Sequence, residues 1–490
     1  MGVMQINSLL RNVQISYHEI LLKMKLIDSL KELVDELDKV HSNQFDWGSE
    51  LGMPDFVTAS NGFQRHFTQS ARKSLKRVAQ VLHSNRPQGL VQIEIDNYEK
   101  IVRQAVANMH AESEFIDFYD DKNKIAIKKL KAEIESRVES GAKVYTHYFP
   151  AWTAGIDRKS PFQIGPISFI NRDNWIDMVD FPEQGKQQYL NEPEANSKWK
   201  EILKDALKNP NDSTPINGLA ASVYGAVEKC PSLIKVKISG YEKEFSRKLA
   251  RLVCKTALDS ISLCIGSKAL FQQQALQEER LVPVGSYSIV ETDGFLWLPG
   301  QSLSDRIPHL SGNMIDKAIS DISSAIPALA FILEGIVTPQ AHRFPKLSNR
   351  WATALDWFGE GCRESSDSIA VAKLGTSLDV LSAGGKYAGI ASMVSNLLDI
   401  DGSSEVIGGE NPLTLNKVIK EIYDDGRSKI LHGTYFDRLE AMKVERERAF
   451  YFARIALIES AFRLSNYNGE DSDNAFRTIP KSKEPVNTDI

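Results

Sequence analysis

Arg427 and His432 are the two side chains in this chain whose types and spacing best suit chemistry on a phosphodiester. They stand five residues apart in Ile422-Tyr-Asp-Asp-Gly-Arg-Ser-Lys-Ile-Leu-His-Gly433, with Gly426 before the first and Gly433 after the second, at the end of an amphipathic run. Arginine is a permanent cation with a planar fork of donors suited to phosphate. Histidine gives or takes a proton near neutral pH. Cutting RNA without a metal needs the 2′-hydroxyl deprotonated, charge on the phosphorane neutralised and the leaving 5′-oxygen protonated. His432 is the candidate general base or acid, a role worth about 10²–10⁴-fold. Arg427 is the candidate for holding the phosphate oxygens as their charge grows. The product of such a site would carry a 2′,3′-cyclic phosphate, and DNA, lacking the 2′-hydroxyl, would be spared.

The spacing sets a geometric problem. Five residues of an ideal helix turn the side chain through about 140° beyond a full turn, so the pair does not share one face of a straight helix. Either the helix distorts near Gly426 or frays before Gly433, or one site draws residues from two subunits. A bland reading competes. A histidine before a helix-ending glycine can bind the last carbonyls, and an arginine that follows two aspartates is usually a surface ion-pair partner. Ser428 and Lys429 are candidates for contacting an RNA backbone and fit a solvated turn equally well.

The string Tyr423-Asp-Asp-Gly-Arg427-Ser428-Lys429-Ile-Leu-His432-Gly433 resembles the Arg-x4–6-His signature of HEPN domains, and is most similar to the Apea-like branch. A second stretch, Ile164-Gly165-Pro166-Ile167-Ser168-Phe169 followed by Trp175, resembles the region upstream of Apea-like HEPN domains. Together they extend the likeness over most of residues 145 to 466. The resemblance implies a C-terminal helical bundle that dimerises and brings two motifs into one cleft. It also implies metal-independent ribonuclease activity on cellular RNA, structured RNA such as tRNA included, and a setting of phage sensing and abortive infection with a phage-derived trigger. Asp379, in Leu378-Asp379-Val380-Leu381 beside the apolar stripe of Leu374, Leu378 and Leu381, matches a position where such sequences carry an acid, usually Glu. It is a candidate for orienting Arg427 or tuning His432. Other members of the family are non-catalytic protein- or nucleotide-binding partners, and some are modified by a nucleotidyltransferase, for which Tyr423 or Tyr435 would be the acceptor.

The whole chain bounds these readings. At 490 residues it is long enough for two or three domains. Its composition, 42% hydrophobic and 25% charged, is that of an ordinary globular protein. A formal net charge of −5 leaves any nucleic-acid contact to a local basic patch. Cys230, Cys254, Cys264 and Cys362 lack metal or disulfide-framework spacing and read as buried thiols of a reducing cytoplasm. The histidines form no His-Glu-x-x-His pair, no Gly-x-Ser-x-Gly or Walker A string occurs, and neither metal nor cofactor is expected. The first residues lack the basic-then-apolar form of a secretion signal, so a cytoplasmic protein is expected. The most apolar run, Ala325 to Leu333, is far shorter than the roughly 20 residues of a membrane span.

The elements that must position the pair read as an α+β protein. Residues 1–140 are mostly helical, with Ile20 to Ile27, Phe67 to His83 and Lys122 to Val138 as runs at helical spacing. The second carries Arg72, Lys73, Lys76 and Arg77, a candidate RNA-binding face that also fits a solvated helix. Residues 141–305 mix α and β. Val144 to Pro150, Phe162 to Ile170 and Leu233 to Ile238 read as strands, Glu242 to Phe271 as helix, and Leu281 to Leu298 as a hairpin turning at Asp293-Gly294. Residues 306–466 form the bundle. Its elements are a stripe from Ile315 to Leu333 kinked at Pro327, then Arg350 to Gly359, Asp367 to Ser382 capped by Ser366, Lys386 to Leu398, Leu415 to His432 between Thr414 and Gly433, and Glu440 to Leu464. Residues 467–490, polar and aperiodic, are expected to be disordered.

Overall fold

The computed structural model describes residues 26–481 with breaks at 43–44, 46–54, 88, 117–121, 160–161, 212–214, 280–284, 298–299, 304–311 and 435–441. Most of the Ile20 to Ile27 run, Tyr435 and the last nine residues of the chain therefore lie outside the described residues. The protein is α+β. It divides into two compact units, Met1–Tyr145 with Ile238–Lys248, and Thr146–Lys237 with Leu249–Ile490. The first boundary falls where the sequence changes texture. The mixed region and the helical region expected as separate domains belong to one unit.

The first unit is built on α1 (residues 26–40), α2 (Gln69–Ser84), α3 (Ile95–Ala111) and α4 (Lys122–Gly141). In α2, Ala71, Leu75, Val78, Ala79 and Leu82 are buried at three- and four-residue steps, and Thr68 caps the helix by accepting from the Ala71 amide. They pack with Leu30, Leu33 and Leu37 of α1 and with Val102 and Val106 of α3. A region read as mostly helical also contains an antiparallel hairpin, β1 (Asp55–Thr58) and β2 (Gln64–Phe67). Its strands are four residues each, too short for a period-two pattern to stand out. Only Asn61-Gly62, with Gly62 at φ +84°, signals the turn.

In the second unit β3 (Tyr145–Trp152), β4 (Phe162–Ile164), β5 (Ile167–Asn171), β6 (Ser232–Ile238) and β7 (Ala275–Leu276) form a five-stranded sheet in the order β4-β5-β6-β3-β7. Gly165 turns β4 into β5 at φ +54°, and a Cβ there would fall 3.0 Å from the Ala330 backbone. The Ile-Gly-Pro string is thus a left-handed turn pressed on a helix. The expected hairpin is present, with β8 (Glu291–Thr292) paired to β9 (Phe295–Leu296). Asp293 and Gly294 at φ 55° and 77° give the type I′ turn that Asp-Gly favours.

Helices α5 (Lys243–Ile265), α6 (Gly312–Ile322), α7 (Ile326–Val337), α8 (Pro345–Arg363), α9 (Asp367–Leu381), α10 (Lys386–Leu398) and α12 (Lys443–Ser465), with the composite α11 from Leu415 to Leu431 between the last two, follow the expected positions. Four details differ. The stripe at Ile315 to Leu333 is two helices bent by 74°, with Pro327 in the first turn of α7, where a missing N–H costs nothing. α8 is longer than read. Ser366 stands at the N-cap of α9 without a side-chain cap bond. The expected disorder after residue 467 does not hold up to residue 481: Phe476 and Ile479 are fully buried, and the Asp471 carboxylate caps α8 by accepting from the Lys346 and Leu347 amides at 2.9 and 3.0 Å. Two apolar side chains in a polar stretch are invisible to a window average.

All four cysteines are buried, and none forms a disulfide among the described residues. Among the described residues no single helix is long and apolar enough to cross a membrane.

Candidate functional site

The Arg427 helix, α11, is a composite: Leu415–Lys420 is α-helical, Glu421–Ser428 is π-helical and Lys429–Leu431 is α-helical again. Thr414 caps its start, accepting from the Lys417 amide. Its end is a Schellman turn. Gly433, at φ +69°, donates to Ile430 O at 3.2 Å, and Thr434 donates to Lys429 O at 2.9 Å. The last carbonyls are therefore met by the backbone, and the His432 ring does not fill the bland role. It is exposed, and no hydrogen bond to it exists among the described residues.

Wide π turns recur at functional sites, and this one has a steric cause. It packs on α9 through two glycines. A Cβ on Gly426 would lie 2.6 Å from Val371 Cγ1, and one on Gly375 would lie 2.9 Å from Arg427 Cβ. Arg448 of α12 holds Glu421 at 2.8 Å from the other side. The π turn thereby lays Arg427 against the last turn of α9. Arg427 Nη2 meets Asp379 Oδ2 at 3.1 Å, with the two side chains 21% and 17% exposed. Nη1 donates to the Tyr423 hydroxyl at 3.4 Å, and the guanidinium sits 5.2 Å from the Tyr423 ring centre. Burial, then the Asp379 charge, pushes the Tyr423 pKa up, so its hydroxyl stays protonated. Within the described chain Arg427 Nε and Asp379 Oδ1 are buried without a partner. The pair is fixed, and its hydrogen-bonding capacity is not used up.

Asp379 occupies a costly place. A carboxylate in the last turn of a helix faces the negative end of the dipole. Arg427 offsets this from one side. From the other, Arg477 donates to Ser382 O, Ala383 O and Gly384 O at 2.7, 3.2 and 2.8 Å. Asp379, one methylene shorter than a glutamate, reaches the arginine.

His432 is not brought to the same place within one chain. Ser428 and Lys429 have α-helical angles, so the five-residue step from Arg427 is still about 140° past a full turn. The distortion near Gly426 exists, but the π turn ends at Ser428, one residue into that step. Lys429 pairs with Asp425 at 2.7 Å in the open, which raises its pKa. Ser428 is half-buried beside it. Tyr423, a candidate nucleotidyl acceptor, is 7% exposed and turned to Arg427, which makes it a poor one. In the first unit Arg72, Lys73, Lys76 and Arg77 are all exposed on α2; Arg77 pairs with Glu32 at 2.8 Å.

No protein-family model, curated protein or solved structure matches the chain. The site therefore stands on its own geometry. Among the described residues no group of three or more His, Cys, Asp or Glu is placed to hold a metal ion. Sequence reasoning missed Tyr423 as a neighbour of Arg427, although its i,i+4 spacing is a legible signal. It also missed Gly375 and Arg477, whose roles depend on packing across helices.

Proposed function

We propose that this chain is a metal-independent endoribonuclease of the HEPN type, cutting cellular RNA to 2′,3′-cyclic phosphate ends in antiphage abortive-infection defence. The observation that carries this reading is Arg427: a guanidinium oriented by Asp379 and Tyr423, with a buried Nε N–H left to donate, inside the Tyr-x3-Arg-Ser-Lys-x2-His-Gly string. A guanidinium held in advance neutralises phosphorane charge without reorganising. His432, exposed at the end of the same helix, supplies the proton transfer. Because the two groups diverge around the helix axis, the working site pairs Arg427 of one subunit with His432 of another, and the second unit forms a homodimer.

The test is end-mapping of RNA from cells producing the wild type beside the His432→Ala variant, with light scattering of both. Cyclic-phosphate ends in the wild type only, on a dimer unchanged by the substitution, are expected. Identical RNA ends in the two would remove the nuclease reading. One observation favours a second reading, a non-catalytic nucleotide- or protein-binding module: two arms of the Arg427 fork are already engaged within the chain. That reading expects intact RNA throughout and a bound nucleotide or protein lost in the Arg427→Met variant.

A further inference from the structure

The first unit carries an aromatic face that the chemistry above leaves unused. In the β1–β2 hairpin Val57 and Phe67 turn inward, while Phe56 and its cross-strand partner His66 lie on the opposite face. Their rings are 5.8 Å apart. His66 is 5.8 Å from His41, and His41 is 5.9 Å from His110, making a row of four rings. Phe56 is 53% exposed and Phe63, at the turn, 64%. Burial, then the nearby Arg65, lowers the His41 pKa to about 4. Burial also lowers that of His110. Both rings are therefore uncharged at neutral pH.

Through one residue, Thr68, this hairpin runs into α2, whose sixteen residues include no acid. Four acids of this unit are engaged. Asp38 holds His110 at 3.0 Å, Asp55 holds Arg103, Glu32 holds Arg77, and Glu112 accepts from the Ser60 hydroxyl. Arg72, Lys73 and Lys76 have no ion-pair partner among the described residues. Exposed flat rings on the hairpin, followed directly in the chain by exposed cations on α2, match a ligand that has π faces and regularly spaced negative charge at once. An acidic peptide would use the cations and leave the rings idle, and a duplex would hide its bases from them.

We propose that single-stranded nucleic acid docks on the first unit, its bases stacking on Phe56 and Phe63 and its phosphates lying along Arg72, Lys73 and Lys76. Only the choice of RNA over DNA as the natural ligand rests on the nuclease reading. The test is fluorescence anisotropy on the full chain carrying His432→Ala, with oligouridine RNA, oligothymidine DNA and duplex RNA of about 12 nucleotides. The single strands should bind and the duplex should bind far less. Phe56→Ala and Phe63→Ala should each weaken single-strand binding about tenfold at fixed salt. Lys73→Gln and Lys76→Gln should each flatten the slope of log affinity against log salt by about 0.7. Unchanged affinity in both aromatic variants, or duplex binding equal to single-strand binding, would overturn the proposal, whereas binding of DNA but not RNA would overturn only the choice of RNA. Aromatic-dependent binding by a wild type that cuts nothing would sink the nuclease reading alone, and binding indifferent to Phe56 and Phe63 by a wild type that cuts RNA would sink this inference alone.

Discussion

At the scale of single residues, the pair Asp379–Arg427 is the feature most open to measurement. Both side chains are more than three-quarters buried, so removing one strands the other. We expect Arg427→Met and Asp379→Asn each to lower stability by about 1–3 kcal/mol. The double variant should lose less than the sum, because a shared contact is removed only once. Urea denaturation of the four proteins checks this; simple additivity would mean the contact carries no energy. His41 offers a pH test. Its folded pKa, about 4, lies below the ordinary 6.5, so on acidification the unfolded chain takes up the proton first. The stability it contributes is complete above the unfolded value and is lost as pH falls from about 6.5 towards 4. Arg65, His110 and His66 oppose the proton there and Asp38 favours it. His41→Gln keeps an acceptor for the His66 amide without the titration, and its melting temperature should fall less between pH 7 and pH 5 than that of the wild type.

At the scale of elements, the π turn in α11 sets where Arg427 points, and two glycines permit it. A methyl at Gly426 or Gly375 would meet Val371 or Arg427 itself, so Gly426→Ala and Gly375→Ala should each cost about 1–3 kcal/mol. Both should also displace the guanidinium from Asp379. A crystal structure of Gly375→Ala with the Arg427–Asp379 contact intact would show that the close crossing is not what positions the arginine. This crossing also marks where the sequence stops being legible. The helix, its Thr414 cap and its Gly433 stop follow from local residue types, and the Asp293-Gly294 hairpin follows from turn chemistry. Asp379 as the partner of Arg427 followed from a resemblance. The π turn did not follow from either, because nothing in Glu421 to Ser428 alone demands a wide turn; the demand comes from α9. The β1–β2 hairpin was lost for a related reason, since four-residue strands carry too little pattern to outweigh the helices around them.

At the scale of the whole chain, the last described residues decide whether the site end of α9 is held from outside. Arg477 satisfies three carbonyls in the loop that follows Asp379, and that loop runs through left-handed angles at Ala383, Gly384, Gly385 and Lys386 in succession. Such a run is costly and stays in place only if other contacts fix it. Asp473 holds Arg350 at 2.8 Å, and Arg350 also donates to Val380 O at 3.0 Å. Arg463, buried in α12, donates to Ile479 O and Leu397 O at 3.1 and 2.7 Å. The segment thus ties α8, α9, α10 and α12 together, although its composition alone reads as a free tail. Phe476→Ala should cost about 3–5 kcal/mol, and Arg477→Met should raise hydrogen exchange at the Gly384 and Gly389 amides, which donate to Asp379 O and Gly385 O. A truncation after Tyr467 that melted at the wild-type temperature, with those amides still protected, would show that α9 keeps its end, and Asp379 its aim, without the strap.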